Sequence, residues 1–466
     1  MEVPTINPFP TQGSTGGPVG MINVDFINSV DFYSGAFPSN RSGALSAILD
    51  FKFKDGRTDR TAMRATVGAS EVGVSVEGPI GDDFSYIISA RRSYLQFLFK
   101  ILGQPFLPTY NDINYKFKYK IDDNNQISLM GIGAIDNFEL NQDEQEDEVD
   151  RYILNNLPVN EQWNYTSGIK YTHFGDNSYF NLILSRFHLH NEAFKYKDNE
   201  KRKNLLLNYD SDEMENQVRF EHVIRKSPYK IIYGGKYTHA RFKNSTLNKI
   251  PTPAGPKTID FTSTLDVNEV GAFGQVSRDF LNEDLTLSLG VRTDFNDYND
   301  EMGDPVDQLS PRFSASYDLT NQMALNFNTG IYYQQPPYTI MGYKEGDEFV
   351  NKDNGIDYIS SKHVVAGVDY LTNTNTKITL EGFYKKYDDY PFVLDDSVSL
   401  ANLGGDFGVV GNSPANSSSE GRAYGAELLV QQKLYEGFYG ILAYTLVWSE
   451  FTNKDDKFVP SSWDNR

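Results

Sequence analysis

His188 and His190, two residues apart, form the clearest pair of metal-type ligands in the 466-residue sequence. On one extended segment both imidazoles would face the same side. A metal site there still needs a further ligand, and polar wall residues are the plainer reading, so no metal is assigned. The acidic run Glu139, Asp143, Glu144, Glu146, Asp147, Glu148 and Asp150 is spaced too irregularly for a calcium loop and reads as a solvated connection. The glycine-rich stretch from Gly13 to Gly20 lacks the strand-to-helix context of a phosphate loop. Nowhere do a nucleophile, a base and oxyanion donors converge, so neither an enzyme activity nor a cofactor is expected.

Binding chemistry is better represented. The stretch Tyr332-Tyr-Gln-Gln-Pro-Pro-Tyr338, with Tyr343 and Tyr358 beyond it, sets aromatic faces beside amides. That combination stacks on and hydrogen-bonds to a sugar or an iron chelate. Gln334, Gln335, Tyr338 and Tyr343 are therefore the candidate substrate-binding residues. Tyr332 and Tyr333 fit an interfacial aromatic ring instead.

The elements that would position these residues are strands. Aromatics make up 14 % of the chain, as 30 Tyr and 31 Phe against 3 Trp, and there are 37 Gly. This composition favours strands, turns and interfacial rings over helices. No stretch approaches the roughly 18 apolar residues of a spanning helix; the best run, Tyr94 to Leu102, is broken by Gln96 and Lys100. The chain has no cysteine, and its net charge of -20 argues against nucleic acid.

Period-two alternation is clearest from Leu285 to Phe295, where Leu285, Leu287, Leu289, Val291 and Phe295 alternate with Thr286, Ser288, Arg292 and Asp294. It recurs at 72–76, 126–129, 323–331 and 377–381. Short turns near Gly81–Asp83, Asp122–Asn125, Gly175–Asn177, Lys226–Pro228, Leu281–Asp284, Thr320–Gln322, Thr372–Asn375 and Tyr435–Gly437 alternate with long polar connections at about 93–110, 136–161, 190–213, 243–265, 297–307, 334–361 and 388–421. Short turns on one rim and long loops on the other are the habit of an outer-membrane β-barrel, and a sandwich has no reason for it. About 17 strands can be counted. An odd count, and an end at Ser461-Ser-Trp-Asp-Asn-Arg466 just after a strand, predict an unfinished barrel. Arg91 and Arg92 close one strand, so one of them should point into the lumen.

The first 56 residues break the pattern with Pro4, Pro8, Pro10 and Pro18 and with Gly13, Gly16, Gly17 and Gly20. Within them, Ile27, Val30, Tyr33, Gly35, Phe37, Pro38, Leu45 and Ser46 resemble the end of the plug domain of TonB-dependent receptors, with Ala36 in place of a second glycine. Glu77-Gly-Pro-Ile80, Ala90-Arg-Arg-Ser-Tyr94, Leu309-Ser-Pro-Arg-Phe313 and Gly421-Arg-Ala-Tyr-Gly-Ala-Glu-Leu428 look like recurring barrel segments of that family.

The resemblance implies an all-β transmembrane antiparallel barrel of about 22 strands, about 17 of them present, around an internal plug. Residues 1–56 would be the C-terminal portion of the plug and 57–466 the barrel, with Arg91 or Arg92 contacting the plug. It further implies active uptake of a large scarce nutrient, driven by a TonB-type energy-coupling complex in the periplasm whose docking segment is not in this sequence. Outer-membrane lipid and an extracellular ligand would be partners. A surface lipoprotein and a carboxypeptidase-like regulatory domain ahead of the plug are compatible with it. The rival reading is a barrel that displays loops as an adhesin or binding platform without transport.

Overall fold

The computed structural model describes residues 1–7, 9, 19–35, 37–143, 147–201, 203–252, 255–373, 375–403, 409–462 and 464. Pro8, Pro10, Gly13, Gly16, Gly17, Pro18, Ala36, Glu144, Glu146, Thr374, Trp463, Asn465 and Arg466 lie outside them.

Alternation becomes strand wherever the sequence shows it. The inner hairpin comprises β1 (Ile27–Tyr33) and β2 (Ile48–Phe53). The wall comprises β3 (Ala62–Val67), β4 (Glu71–Ile80), β5 (Phe84–Ser93), β6 (Phe106–Lys120), β7 (Asn125–Leu140), β8 (Val159–Phe174), β9 (Ser178–Tyr196), β10 (Leu205–Lys226), β11 (Tyr229–Thr252), β12 (Gly255–Phe280), β13 (Leu285–Asn296), β14 (Ser310–Thr320), β15 (Met323–Gln334), β16 (Ile359–Leu371), β17 (Thr376–Val393), β18 (Val398–Ser399), β19 (Ala415–Tyr435), β20 (Phe438–Thr452) and β21 (Phe458–Pro460). Short helices α1 (Leu95–Ile101), α2 (Glu148–Asn156), α3 (Tyr338–Met341) and α4 (Val350–Asp353) stand in the long connections. With the brief β18 and β21 set aside, seventeen wall strands are present among the described residues.

The wall is antiparallel and has the order of a closed barrel, with β21 between β20 and β3. That joint is narrow: β3 has six residues and β21 three, and Phe438, Tyr439, Ile441 and Leu442 of β20 are exposed on both faces. Elsewhere one face of each strand looks inward and one outward. In β13 the outward Leu289 and Val291 are exposed, whereas Arg292 and Asp294 are buried in the lumen. Leu182, Leu184, Val218, Phe220, Val270, Val276, Leu325 and Phe327 continue an apolar belt around the outside, the surface that lipid requires. No helix among the described residues is long and apolar enough to cross a membrane.

The short turns fall where the sequence puts them, between consecutive strands on one rim. Gly81 and Gly437 adopt φ of 67° and 84°, a region glycine enters without a Cβ penalty. The other rim departs from expectation at 243–265. There β11 and β12 stay paired out to Thr252↔Gly255, reaching 24 and 26 residues. The segment is polar, yet it still alternates: Phe242, Asn244 and Thr246 are buried, while Arg241 pairs with Asp266 at 2.6 Å on the outside. Strand pairing therefore continues beyond the apolar belt, where polarity alone suggests a loop. Within the acidic run, Asp147 caps α2 by accepting from the Asp150 N–H at 2.8 Å, so Glu148 and Asp150 stand in a helix and not in an extended loop.

Candidate functional site

The inner segment, the described part of residues 1–56, is enclosed by the wall and held through its backbone and by apolar contacts, with Met21 packed against Ile132 and Ala134 and Leu45 against Ile359, Tyr387 and Phe451. Wall cations reach inward to main-chain carbonyls around its circumference. Arg91 of β5 donates to Gly20 O at 2.8 Å, Lys116 of β6 to Phe53 O at 2.7 Å, and Arg219 of β10 to Asn40 O at 2.5 Å. Arg292 of β13 donates to Ser39 O at 3.2 Å. Arg312 of β14 holds three carbonyls, Phe37 O, Pro38 O and Arg41 O, at 3.1, 2.7 and 2.8 Å. Lys385 of β17 holds Ser34 O and Ser46 O at 2.6 and 2.9 Å. Side-chain bonds supplement these: Asn23 to Ser89 at 3.0 Å, Asn40 to Glu221 at 2.8 Å, and Ser34 to Glu381 at 2.9 Å.

Such a seat is specific in shape but inexpensive to dismantle. Each charge-assisted bond is strong in place. If the segment moves, water can replace it on both partners, which keeps the net cost of each bond to about 1.5–3 kcal/mol.

Arg91 thus points inward, bridged to Asp112 at 3.0 Å and Glu71 at 3.3 Å, whereas Arg92 faces outward and meets Asn111 at 3.1 Å. Tyr332, expected in an interfacial ring, lies in the lumen at 1 % exposure, with its ring 4.8 Å from Phe37 and 4.5 Å from His363. Even-numbered positions of this end of β15 face inward, which decides the matter.

Glu2 of the inner segment enters an ionic cluster on the wall. Glu2 faces Arg219 at 3.4 Å and Lys236 at 3.7 Å, and Lys236 also meets Glu269 at 2.6 Å. Burial works to raise the Glu2 carboxyl, but Lys236 and Arg219 outweigh it and hold the group at about 2. A depressed carboxyl stabilises the docked state fully above its unfolded value of 4.5 and loses that contribution as pH falls towards about 2. Docking of the inner segment, followed by limited proteolysis, is therefore expected to weaken across this acidic window. Glu2→Gln should flatten the dependence; an unchanged profile in that variant would show that other carboxylates control it.

A cavity of about 2170 Å³ runs through the lumen along the inner segment, lined by Lys116, Arg219, Arg312 and Lys385 of the wall as well as by residues nearer the outer mouth. Gln334, Gln335 and Tyr338 line it together with Arg41, Glu215 and Lys236. Its roof is a packed cap in which the long connections cross one another. Tyr298, Met302, Tyr338, Ile340, Met341, Ile356, Leu400 and Val410 form an apolar cluster with Phe242 and Leu265 of the extended β11 and β12. Tyr338 stacks on Phe242 at 6.3 Å and donates its hydroxyl to Glu215 at 2.8 Å. Burial and the Glu215 charge push that hydroxyl well above the usual tyrosine range, so it remains a donor. Tyr343 is 4 % exposed, packs edge-on against Phe261 and bonds Glu345 at 3.1 Å, away from the cavity lining.

Nothing in the sequence hints at Asn351, which ties the cap together. Fully buried, it donates to Ile340 O at 2.8 Å and Ser413 O at 3.0 Å and accepts from Ala415 N–H at 2.7 Å. Asn351→Ala strands three buried groups and should cost the cap about 3 kcal/mol. Faster protease cleavage within 338–358, with the barrel intact, is the expected result; unaltered cleavage would mean that the apolar cluster suffices.

Residues 94–466 match the family described as TonB dependent receptor-like, beta-barrel. The chain is similar in structure to the copper transporter OprC, with a TM-score of 0.68 at 13 % identity over 93 % of this chain and 68 % of that one. A mutant of the ferric enterobactin receptor PfeA from Pseudomonas aeruginosa gives 0.64 at 13 % identity, covering 93 % and 67 % of the two chains. The outer membrane transporter YddB from Escherichia coli gives 0.62 at 10 %, covering 98 % and 71 %. At such identities the likeness speaks for the fold. No curated protein matches the sequence.

Proposed function

Since this chain belongs to the TonB-dependent receptor family, we propose that it resides in the outer membrane and takes up a large, scarce nutrient there. Residues 1–56 are then the C-terminal portion of the plug and 57–466 the barrel. The observation that carries this reading is the polar seat, whose wall cations also line the cavity. A segment fastened to wall cations through its carbonyls, beside small apolar clusters at Met21 and Leu45, can leave without opening the larger apolar cap. The outer part of the lumenal cavity, where Gln334, Gln335 and Tyr338 stand, offers a ligand aromatic area beside amide groups.

Gln334, Gln335 and Tyr338 form part of the ligand surface, while Tyr343 supports it from within the cap. Iron chelates, cobalamin, oligosaccharides and peptides fit the mixture of aromatic, amide and charged groups; the copper transporter and the ferric enterobactin receptor among its structural neighbours give metals and iron chelates priority in a screen. A TonB-type complex in the periplasm would displace the plug, and a surface lipoprotein is a compatible partner.

The test is uptake of a panel of these ligands by cells making the protein, with and without proton-motive force. Force-dependent accumulation is expected. Binding at the surface without accumulation would favour the display-platform reading.

A further inference from the structure

On the outer face of the wall, above the apolar belt, neighbouring strands bring together residues that lie far apart in sequence. In β9 the outward side chains run from Leu182 and Leu184 through Arg186 to His188 and His190. In β10 they run from Phe220 and Val218 through Asn216 to Asp212 and Asp210. The register sets His190 directly opposite Asp212, with Arg186 opposite Asn216 closer to the belt. The further ligand that the two histidines need thus comes from the next strand.

We propose that His190, Asp210 and Asp212 form a binding site for a divalent transition ion, Zn²⁺ in the first instance, with His188 as the residue that orients Asp212. One ligand atom from each of the three lies within 4.8 Å of the others. A tetrahedral ion with bonds of about 2.1 Å needs its ligands roughly 3.4 Å apart, so small side-chain rotations bring them into range. His188 Nε2 is 2.9 Å and His190 Nδ1 3.3 Å from Asp212 Oδ1. Both histidine rings also rest against Trp163 of β8, at 4.6 and 5.6 Å between centroids, which limits their freedom before an ion arrives.

The donor set discriminates between ions. An imidazole beside two carboxylates suits Zn²⁺ or Cu²⁺, whereas Ca²⁺ asks for six to eight oxygens that this corner does not offer. The partly exposed position leaves the remaining coordination site to water. Hydrogen-bonded strands supply the rigidity, since all four residues occupy outward positions of two paired wall strands.

Calorimetric titration of the detergent-solubilised protein with ZnCl₂ tests the site, with CaCl₂ as competitor. One equivalent of saturable Zn²⁺ binding is expected, at least tenfold weaker in His190→Ala and in Asp210→Asn and undisturbed by equimolar Ca²⁺. His188→Ala should weaken it about tenfold through loss of Asp212 orientation. No saturable binding, equal binding in the variants, or displacement by equimolar Ca²⁺ would each overturn the proposal. Addition of CoCl₂ to the unaltered protein provides a readout that needs no variant: intense visible bands of four-coordinate cobalt support the site, and the weak spectrum of the hydrated ion counts against it.

Discussion

Oxidising the double variant Ser39→Cys, Gly290→Cys is expected to reduce force-dependent uptake at least tenfold, with recovery when a reductant is added. The geometry makes this lock available. A Cβ built on Gly290 of β13 would stand 3.1 Å from the Ser39 Cβ of the inner segment. Disulfides join Cβ atoms about 3.5–4.5 Å apart, so the pair needs to open by only a few tenths of an ångström. The sequence contains no other cysteine to compete for pairing. Transport requires the proposed plug to move relative to the wall, and the bond forbids that movement at one point of its rim. Equal uptake by oxidised and reduced protein would sink plug displacement at this edge as the transport step, whichever nutrient proves to be carried.

The second large effect concerns Arg312. Its guanidinium holds the carbonyls of Phe37, Pro38 and Arg41 and lies 4.7 Å from the centre of the Tyr332 ring. Each charge-assisted bond contributes about 1.5–3 kcal/mol and the ring contact about 1 kcal/mol, and such terms overlap within one group. Arg312→Ala should therefore loosen the seat by about 4 kcal/mol. Hydrogen exchange of the amides between residues 34 and 46 should then accelerate by about a thousandfold, while heat-dependent migration of the barrel persists. All three carbonyls are met by Nη1, so Arg312→Lys, which keeps the charge but not the planar group over Tyr332, should recover part of the protection. Protection unchanged in Arg312→Ala would mean that the other wall cations share the load so evenly that none is critical.

The architecture was readable because each wall strand carries its own local signal. The alternation from Leu285 to Phe295 is β13, and the polar members Arg292 and Asp294 are its lumenal side. The turn at Gly81 and the one at Tyr435–Gly437 likewise declare themselves by composition. What escaped the sequence is what depends on distant partners. Residues 243–265 look like a loop because they are polar, and only pairing of β11 with β12 makes them strand. Tyr338 and Tyr343 both stand in the cap formed by crossing connections, and that only Tyr338 of the two also borders the cavity follows from how those connections pack. Asn351 acquires its role from carbonyls and an amide at positions 340, 413 and 415. The seat itself is scattered from Arg91 to Lys385, on six different strands, and nothing local joins those cations to one task.

That the seat grips carbonyls has an evolutionary consequence. Every residue type carries the same main-chain oxygen, so at these carbonyls the wall recognises the path of the segment, whereas Phe37, Leu45, Ser34 and Asn40 are also recognised by their side chains. Drift at the remaining positions between 34 and 46 should be forgiven wherever the backbone keeps its course, while the arginines and lysines opposite are not free to change. A library scan of substitutions would then show a lopsided lock, with a permissive key and an unforgiving keyhole.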